Sequence, residues 1–292
     1  MSLSKFLQLP PNIYLFKYAP FWVSTRFLQL MGTLYYIVNS EERKLIEKNV
    51  MMVFKNPDEA AKILKKSFEG IFLHYSEKLL MAYKDLDILE REIGGSIEYS
   101  GIDYLDDAFT IGGVLLVTGH FGAVEFMPLV LSLRNYPISI VVTFQTEQLR
   151  ENLMARAAKR DVELIDGHGG RVMQMLIQSL KRGRIVVTEC DEVDEWRTKG
   201  NSTIDAFGGK IMLDRTLEVL YRRSGASILE GFMIRTDKGY KFTVEKLEET
   251  KLNTENETVS VMILKKFEQI VMLFPDQWYQ WKKFHKMRPE IL

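Results

Sequence analysis

The sequence has little cysteine, no excess of either charge and no signal for export. Its one cysteine, Cys190, excludes an internal disulfide framework and is typical of a reducing compartment. Lysine plus arginine number 39 and aspartate plus glutamate also number 39, so no overall positive field favours nucleic acid. The first residues lack the basic, apolar and small-residue regions of a secretory signal. We therefore expect neither an exported protein nor a nucleic-acid-binding one.

Long uncharged apolar runs are also missing. Residues 6–38 are rich in aromatic side chains, but Lys17, Arg26 and three prolines interrupt them, and the longest uncharged run, 27–38, has 12 residues. A membrane-spanning helix needs roughly 20, so we do not expect this segment to span. A helix with Trp22 and tyrosines near its ends suits the lipid headgroup boundary, or it can cap the protein core. The sequence leaves both interpretations open.

The apolar periodicity changes type along the chain. Residues 41–92 carry apolar side chains at helical spacing, interrupted only at Asn56-Pro57-Asp58, and predict an all-helical region. From Gly112 onward, short β-branched runs alternate with helical segments. The predicted buried strands are GVLLVTG, ISIVVTF, VELID and RIVVTEC, and the helices between them are 123–133, 147–159 and 171–181. This alternation predicts right-handed crossovers and a largely parallel sheet.

A strand pair is predicted later in the chain. SILEGFMIRT and GYKFTVEKLE read as strands joined at Asp237-Lys238-Gly239, after a helix near 213–223. A polar stretch, ETKLNTENET, leads to a last helix that ends near Phe274. We therefore expect an α/β fold with a largely parallel central sheet flanked by helices and a helical N-terminal layer. Residues 1–95 would form a helical, membrane-associating region and 96–292 the α/β core, in one continuous domain.

The stretch VTGHFGAVEF, residues 117–126, places His120 directly after a predicted strand. Ligands of parallel sheets bind beyond the carboxyl ends of the strands. Five residues apart on a continuous helix, His120 and Glu125 would point about 140° apart, so we expect a turn at Gly122. Glu125 would then lie in the first helical turn, fix the imidazole tautomer and leave the other ring nitrogen free as a base. A purely structural histidine beside a carboxylate also fits this spacing.

The segment GHFGAVEF resembles the His-x4-Asp/Glu motif of acyltransferases, in the form found in the bacterial lipid A biosynthesis (late) acyltransferase family. LYYIVNSEERKLIEKNV, ASILEGFMIRTDKGYKFTV and FPDQWYQWKKFHK are similar to that family's N-terminal helical stretch, later strand pair and closing Pro-x-Gln-Trp-x-Trp-type segment. The resemblance covers most of the chain and implies a glycerolipid acyltransferase-like fold.

The same resemblance implies a reaction. His120, assisted by Glu125, would deprotonate a hydroxyl of a lipid A precursor or related bacterial glycolipid. The hydroxyl would attack the thioester of an acyl carrier protein or of acyl-CoA. A thioester is already activated, so no enzyme nucleophile, metal or other cofactor is expected. Many members of the family begin with a membrane-spanning helix, which the length of the apolar runs does not predict here, so we expect a peripheral position on the cytoplasmic face of the bacterial inner membrane.

The resemblance also implies further substrate-binding or oxyanion residues. The family uses an arginine on the helix after the second strand and an acidic residue after the RIVVTEC strand. Arg156 and Asp191 are the nearest positions, with Gly122 in the motif itself. The alternatives for these two positions are Arg150, Arg160, Glu189 and Asp194.

Departures from the family pattern leave other functions open. Ala123-Val124 stand where the family often has Asn-Trp, and DEVDEWRTKGNSTIDAFGG lacks the second phenylalanine of a similar family segment. These departures concern the acceptor more than the reaction. An esterase or thioesterase with the same His/Glu pair, and a catalytically silent lipid-binding accessory protein, are the alternatives.

Other polar or aromatic groups have two interpretations each. DGHGGRV is a turn or a phosphate-binding loop, and Cys190 is a small apolar filler rather than a nucleophile. His168 has no zinc-binding spacing with His120 and Glu125.

Trp278, Trp281 and Phe284 face either lipid headgroups or the core. Basic residues that can dock a carrier protein or phosphates, or simply end a helix, are Lys181, Arg182, Arg184, Arg222 and Arg223.

Overall fold

The N-terminal part of the chain is helical up to Gly94. The computed structural model describes residues 6–144, 146–198, 202–247 and 258–289 of the 292. The helices of this region are α1 (Pro10–Tyr18), α2 (Phe21–Val38), α3 (Ser40–Phe54), α4 (Pro57–Tyr83) and α5 (Leu86–Gly94). The predicted break at Asn56 is a helix cap, because its side chain accepts hydrogen bonds from the N–H groups of Asp58 and Glu59.

Strands and helices alternate from Ile97 onward. Their order is β1 (Ile97–Ser100), α6 (Ile102–Ile111), β2 (Val114–Thr118), α7 (Met127–Leu133), β3 (Ile138–Val142), α8 (Glu147–Ala157), β4 (Val162–Asp166), α9 (Val172–Lys181), β5 (Ile185–Glu189), β6 (Thr203–Ala206), β7 (Gly209–Met212), α10 (Thr216–Ser224), β8 (Ser227–Thr236), β9 (Gly239–Lys246) and α11 (Val259–Leu273). Short 3₁₀ turns cover Val124–Phe126, Val193–Glu195, Pro275–Gln277 and Tyr279–Met287.

A seven-stranded sheet forms the centre of the α/β part, in the order β1-β9-β8-β2-β5-β3-β4. All neighbouring strands are parallel except β8 and β9, which form the predicted antiparallel pair. Every residue of β2 is buried, as its continuous apolar sequence predicts. The predicted α/β fold with a largely parallel sheet and a helical N-terminal region is confirmed.

The helices cover both faces of this sheet. The connections through α7 and α8 step across the sheet in one direction, and those through α9 and α10 step back, so right-handed crossovers place the two pairs on opposite faces. Helix α4 contacts α8 and the turn Val124–Phe126 on the first face. The carboxyl ends of β2 and β5, which are neighbours at the centre of the sheet, therefore lie beside α4.

Three details differ from the sequence prediction. Strand β1 and the β6–β7 hairpin were not predicted, and the predicted 123–133 helix begins as a 3₁₀ turn before α7. The hairpin turns at Phe207 and Gly208, which both have positive φ, as a tight two-residue turn requires. The predicted polar stretch before the last helix lies largely outside the described residues.

Helix α2 packs one face on α4 and exposes the other. Leu28 and Gly32 are buried, and a Cβ at Gly32 would lie 3.0 Å from the Phe72 ring. The opposite side exposes large apolar side chains on α1 and α2: Tyr14, Tyr18, Trp22, Leu30, Leu34, Ile37 and Val38. In the described part of the chain, no helix is long and apolar enough to cross a membrane. The helix caps the core, and its outer face is available for another apolar partner.

Candidate active site

A glycine turn follows β2 and carries His120. Gly122 has φ of +56°, and a Cβ there would lie 1.8 Å from the carbonyl oxygen of Met233, so a side chain at this position would displace β8. The N–H of Gly122 donates to the carbonyl of Gln277 at 2.9 Å, and that of Ala123 donates to Met233 at 2.7 Å. The predicted turn is present. The amide of Gly122 is already bonded, however, and leaves no donor there for an oxyanion.

The imidazole of His120 pairs with Asp191. Its Nδ1 lies 2.9 Å from Oδ1 of Asp191, and the backbone N–H of His120 donates to both carboxylate oxygens at 3.0 and 3.1 Å. The register of β2 and β5 explains why His120 and Asp191 lie in contact. Thr118 of β2 is paired with Glu189 of β5, and His120 and Asp191 each lie two residues beyond that pair.

Asp191 is fully buried and has a second support. Its Oδ2 accepts a hydrogen bond from the indole N–H of Trp278 at 2.7 Å. Burial raises the pKa of the Asp191 carboxyl, but the charge of His120 and the donated hydrogen bonds outweigh burial and hold it below its usual range. Asp191 is therefore a charged acceptor that fixes the imidazole with its proton on Nδ1 and Nε2 facing outward.

Glu125 does not contact His120, and the prediction that it orients the imidazole is wrong. Its Oε1 lies 3.5 Å from Nε2 of His74 and 3.7 Å from Nζ of Lys78, both on α4. The physical reason is the 3₁₀ turn Val124–Phe126, which directs the side chain towards α4, where an α-helical first turn was expected. Asp191, which the family resemblance placed only as a substrate-binding residue, takes the orienting position.

Two ionisable side chains of α4, His74 and Lys78, lie beside Glu125 of the motif. Glu125 chiefly raises the pKa of the Lys78 ammonium, so that Lys78 is cationic. Burial, with the nearby Lys78, lowers the pKa of His74 well below its ordinary value, so that His74 is neutral. Glu125 and Lys78 thus form an ion pair between the motif turn and α4, with the neutral imidazole of His74 beside it.

Two more carboxylates lie near the outward nitrogen of His120. Its Nε2 is 3.5 Å from Oε2 of Glu192 and 3.9 Å from Oε1 of Glu189. Burial lowers the pKa of His120, but Glu189, Asp191 and Glu192 together outweigh burial and raise it to about 10. The imidazole is therefore protonated at neutral pH. Its side chain keeps 19% of its exposure to solvent.

Residues 277–279 of the closing segment contact the turn that carries His120. The N–H of Tyr279 donates to the carbonyl of His120 at 3.0 Å, and Phe121 forms an isolated antiparallel bridge with Trp278. Gln277 exchanges two side-chain hydrogen bonds with the backbone of Arg235 on β8. Aromatic residues of this segment are buried rather than presented to lipid: Trp278, Trp281 and Phe284. The core interpretation of these aromatic residues is therefore correct.

The predicted arginines lie elsewhere. Arg156 donates to the carbonyl of Lys84 at the end of α4. Of the alternatives, Arg150 lies 4.0 Å from Asp166, and Arg160 pairs with Glu90. None of the three has a contact with His120 among the described residues. The predicted placement of an arginine in this site is therefore not supported by these contacts.

The remaining candidates also fall outside the site. The basic groups at 181–184 and 222–223 precede β5 and β8, so they lie at the edge of the sheet opposite His120. His168 donates its N–H to the Asp166 side chain, which is turn geometry. Cys190 is buried, and burial raises its pKa well above normal, as expected for a filler.

Comparison with known proteins agrees with the motif. The family model for bacterial lipid A biosynthesis acyltransferases matches residues 13–286, which include the His120 turn, Asp191 and the closing segment. No curated protein matches the chain significantly. The match covers nearly the whole chain and confirms the resemblance inferred from the motifs. The chain is an acyltransferase and belongs to the bacterial lipid A biosynthesis acyltransferase family.

Proposed function

We propose that the protein moves a fatty acyl chain from the thioester of an acyl carrier protein, or of acyl-CoA, to a hydroxyl of a lipid A precursor or related bacterial glycolipid. The observation that carries the proposal is the contact of 2.9 Å between Nδ1 of His120 and Oδ1 of Asp191. It leaves Nε2 as the one ring nitrogen that can accept a proton from an acceptor in the cleft.

The chemistry needs only this base and alignment. Nε2 of neutral His120 removes the acceptor's hydroxyl proton while the oxygen attacks the thioester carbonyl, and Asp191 stabilises the imidazolium that forms. The tetrahedral intermediate then expels the thiolate, which takes the proton from Nε2. The products are an ester and a thiol, and the imidazole returns to its neutral state.

The carboxylates around His120 set the pH at which the base is available. The raised pKa of about 10 holds the imidazole protonated at neutral pH. A general base acts in its deprotonated form, so activity should rise with pH through the alkaline range.

Glu125 contributes through α4 in this proposal. Its ion pair with Lys78 keeps a cation beside the cleft and ties the motif turn to the helix. We therefore assign Glu125 to positioning Lys78 and the turn, and the proton transfer to His120 and Asp191. Removing the Glu125 charge should cost less activity than removing that of Asp191.

The exposed side of α1 and α2 suits attachment to the membrane that holds a lipid acceptor. Trp22 and Ile37 are more than half exposed on it, with Lys17 and Arg26 nearby. We propose a peripheral position on the cytoplasmic face of the bacterial inner membrane, where both a soluble thioester donor and a membrane-bound acceptor are accessible.

The test is acyl transfer by the purified protein, with radiolabelled acyl carrier protein or acyl-CoA and with or without a lipid A precursor. The proposal predicts label in the lipid, and a loss of about 10²- to 10⁴-fold in kcat for His120→Gln and Asp191→Asn. Glu125→Gln serves as the comparison and should lose less of its kcat.

Donor cleavage at the same rate without acceptor would indicate a thioesterase. Full lipid acylation in cells that carry His120→Gln would indicate an accessory protein.

A further inference from the structure

The two oxygens of Asp191 have different partners. Oδ1 accepts from the imidazole of His120, and Oδ2 accepts from the indole N–H of Trp278 at 2.7 Å. The backbone N–H of His120 is shared between both oxygens. The indole is thus the only side-chain donor to Oδ2 among the described residues.

We propose that Trp278 is a positioning residue of the reaction, which fixes the plane of the Asp191 carboxylate so that Oδ1 stays on Nδ1 of His120. The inference rests on the proposed function for its catalytic consequence, but its structural part concerns the protein without substrate. Trp278 acts through Asp191 and does not touch the reacting atoms in this proposal.

The need for a second anchor follows from the side chain of aspartate. Its terminal torsion has a broad, shallow energy profile, so one hydrogen bond leaves the carboxylate free to rotate. Hydrogen bonds to a charged acceptor are roughly twice as strong as neutral ones. An indole donor on Oδ2 therefore holds the carboxylate in the plane that the imidazole requires.

Trp278 is itself firmly held. It is fully buried, and its ring stacks on Phe207 at 5.5 Å between centroids and meets Phe267 edge-on at 5.7 Å. Its backbone forms the bridge with Phe121, directly after His120. The indole thus connects Asp191, which follows β5, to the turn that follows β2, and a shift of the closing segment would move both partners.

Trp281 offers a matched control three residues away. It is also fully buried, and its ring lies 4.6 Å from that of Trp278. Its indole N–H donates to the carbonyl of Pro275 at 2.6 Å. Trp281→Phe therefore removes the same ring atoms and the same kind of donor from the same cluster without removing a bond to Asp191.

The experiment compares Trp278→Phe with Trp281→Phe. We expect Trp278→Phe to lower kcat at least about tenfold with little change in KM, since a hydrogen bond to a charged group is lost. Trp281→Phe should keep kcat within about threefold. Equal kcat values for the two variants, whether both high or both low, would overturn the proposal, because an equal loss indicates a general packing role.

A second readout does not depend on activity. The Nδ1 proton of His120, bonded to Asp191, should give a strongly downfield proton NMR signal in the free protein, assigned by its absence in His120→Gln. We expect Trp278→Phe to weaken or shift this signal and Trp281→Phe to retain it, and an unchanged signal in Trp278→Phe would contradict the proposal. If wild-type protein transfers no acyl chain, the proposed function fails while this readout still decides the positioning role.

Replacement of the ring by an isostere covers the case in which Trp278→Phe does not fold. The benzothiophene analogue of tryptophan keeps the size of the indole and lacks its N–H. At position 278 it should reproduce the loss of kcat and the altered NMR signal, and at position 281 it should not. Normal kcat with the analogue at 278 would overturn the proposal.

Discussion

At the scale of single residues, the acyltransferase motif divides its two polar side chains between two networks. His120 belongs with Asp191 and Trp278 on the β5 side of the cleft. Glu125 belongs with Lys78 on α4. The motif therefore places His120 and Glu125 in two separate networks on either side of one glycine turn, without contact between them.

The sequence predicted the position of His120 but not its partner. His120 was predicted from its place after a buried strand, and the turn at Gly122 from the expectation that Glu125 would contact His120; the turn is present without that contact. The contact with Asp191 depends on β5 lying next to β2, a neighbour relation between strands far apart in sequence that periodicity does not contain. Asp191 was named only through the family resemblance and in a different role.

The charge environment of His120 predicts a pH effect. Glu189 lies 3.9 Å from Nε2 and is the largest of the charges that raise the pKa of His120 to about 10. Glu189→Gln should therefore move the acid limb of the kcat/KM profile to lower pH by about one unit or more. Each unit by which the pKa of His120 falls makes the neutral fraction of the imidazole about tenfold larger well below that pKa. The activity of the variant relative to wild type should therefore be higher at neutral pH than above the wild-type pKa of about 10.

The profile of Glu195→Gln is the control for that change. Glu195 lies on the same connection after β5, is exposed, and has no ion pair with His120 in the described residues. Its acid limb should coincide with that of the wild type. A Glu189→Gln profile that is unshifted, or shifted to higher pH, would show that Glu189 does not act on the catalytic imidazole.

At the scale of elements, helix α4 is held to β8 by a buried ion pair. Arg235 donates two hydrogen bonds of 2.7 Å to the carboxylate of Glu77, and a further one to the Tyr279 hydroxyl at 3.2 Å. The Glu77 side chain is 4% exposed and that of Arg235 is 14% exposed. The pair thus joins α4, which carries His74 and Lys78, to the strand that supports the motif turn.

Breaking this pair should be costly. Arg235→Met leaves the buried Glu77 carboxylate without its partner and should lower the free energy of unfolding by about 3–5 kcal/mol. Urea unfolding followed by circular dichroism measures the change. The double variant Glu77→Met, Arg235→Met should recover part of the loss, because no unpaired charge remains.

An exposed pair supplies the comparison. Lys210 and Asp205 are bonded at 2.9 Å across the β6–β7 hairpin, and both are more than half exposed. Lys210→Met should change the free energy of unfolding by no more than about 1 kcal/mol. If Arg235→Met also lowered the free energy of unfolding by no more than about 1 kcal/mol, the conclusion that the Glu77–Arg235 pair holds α4 to β8 would be contradicted.

The elements themselves differ in how far they could be predicted. The strands β2 and β5 were visible as continuous apolar runs, because they lie at the centre of the sheet and are mostly buried. Strands β3 and β4 were also predicted, although they are only partly buried. Strand β1 has four residues that include Glu98, and its burial is only partial, so its sequence carries no such signal. The order of the strands depends on long-range packing, which one sequence does not display.

At the scale of the whole molecule, the exposed apolar side chains are concentrated on α1 and α2. Leu30, Leu34 and Ile37 recur at helical spacing on the side of α2 that faces away from α4. The basic groups at 181–184 and 222–223 lie at the far edge of the sheet and are partly neutralised by Asp161, Glu163 and Glu218.

This distribution predicts membrane binding through α2. The variant Leu30→Ser, Ile37→Ser should bind vesicles of phosphatidylethanolamine and phosphatidylglycerol at least about tenfold more weakly than wild type in a sedimentation assay, since two exposed apolar side chains are lost. Ile111→Ser is the matched control, because Ile111 is 82% exposed but precedes β2 at the opposite edge of the sheet. Equal binding by both variants would contradict a membrane-facing α2.

The most direct test of the whole account is the pKa of His120 itself. Only four histidines are present, so the imidazole signals of histidine-labelled protein can be titrated by NMR and assigned with His120→Gln. We expect Asp191→Asn to lower the pKa of His120 by about one unit or more, whereas Glu125→Gln should leave it almost unchanged. A pKa that falls in Glu125→Gln and stays constant in Asp191→Asn would contradict the assignment of Asp191 as the partner of the catalytic base.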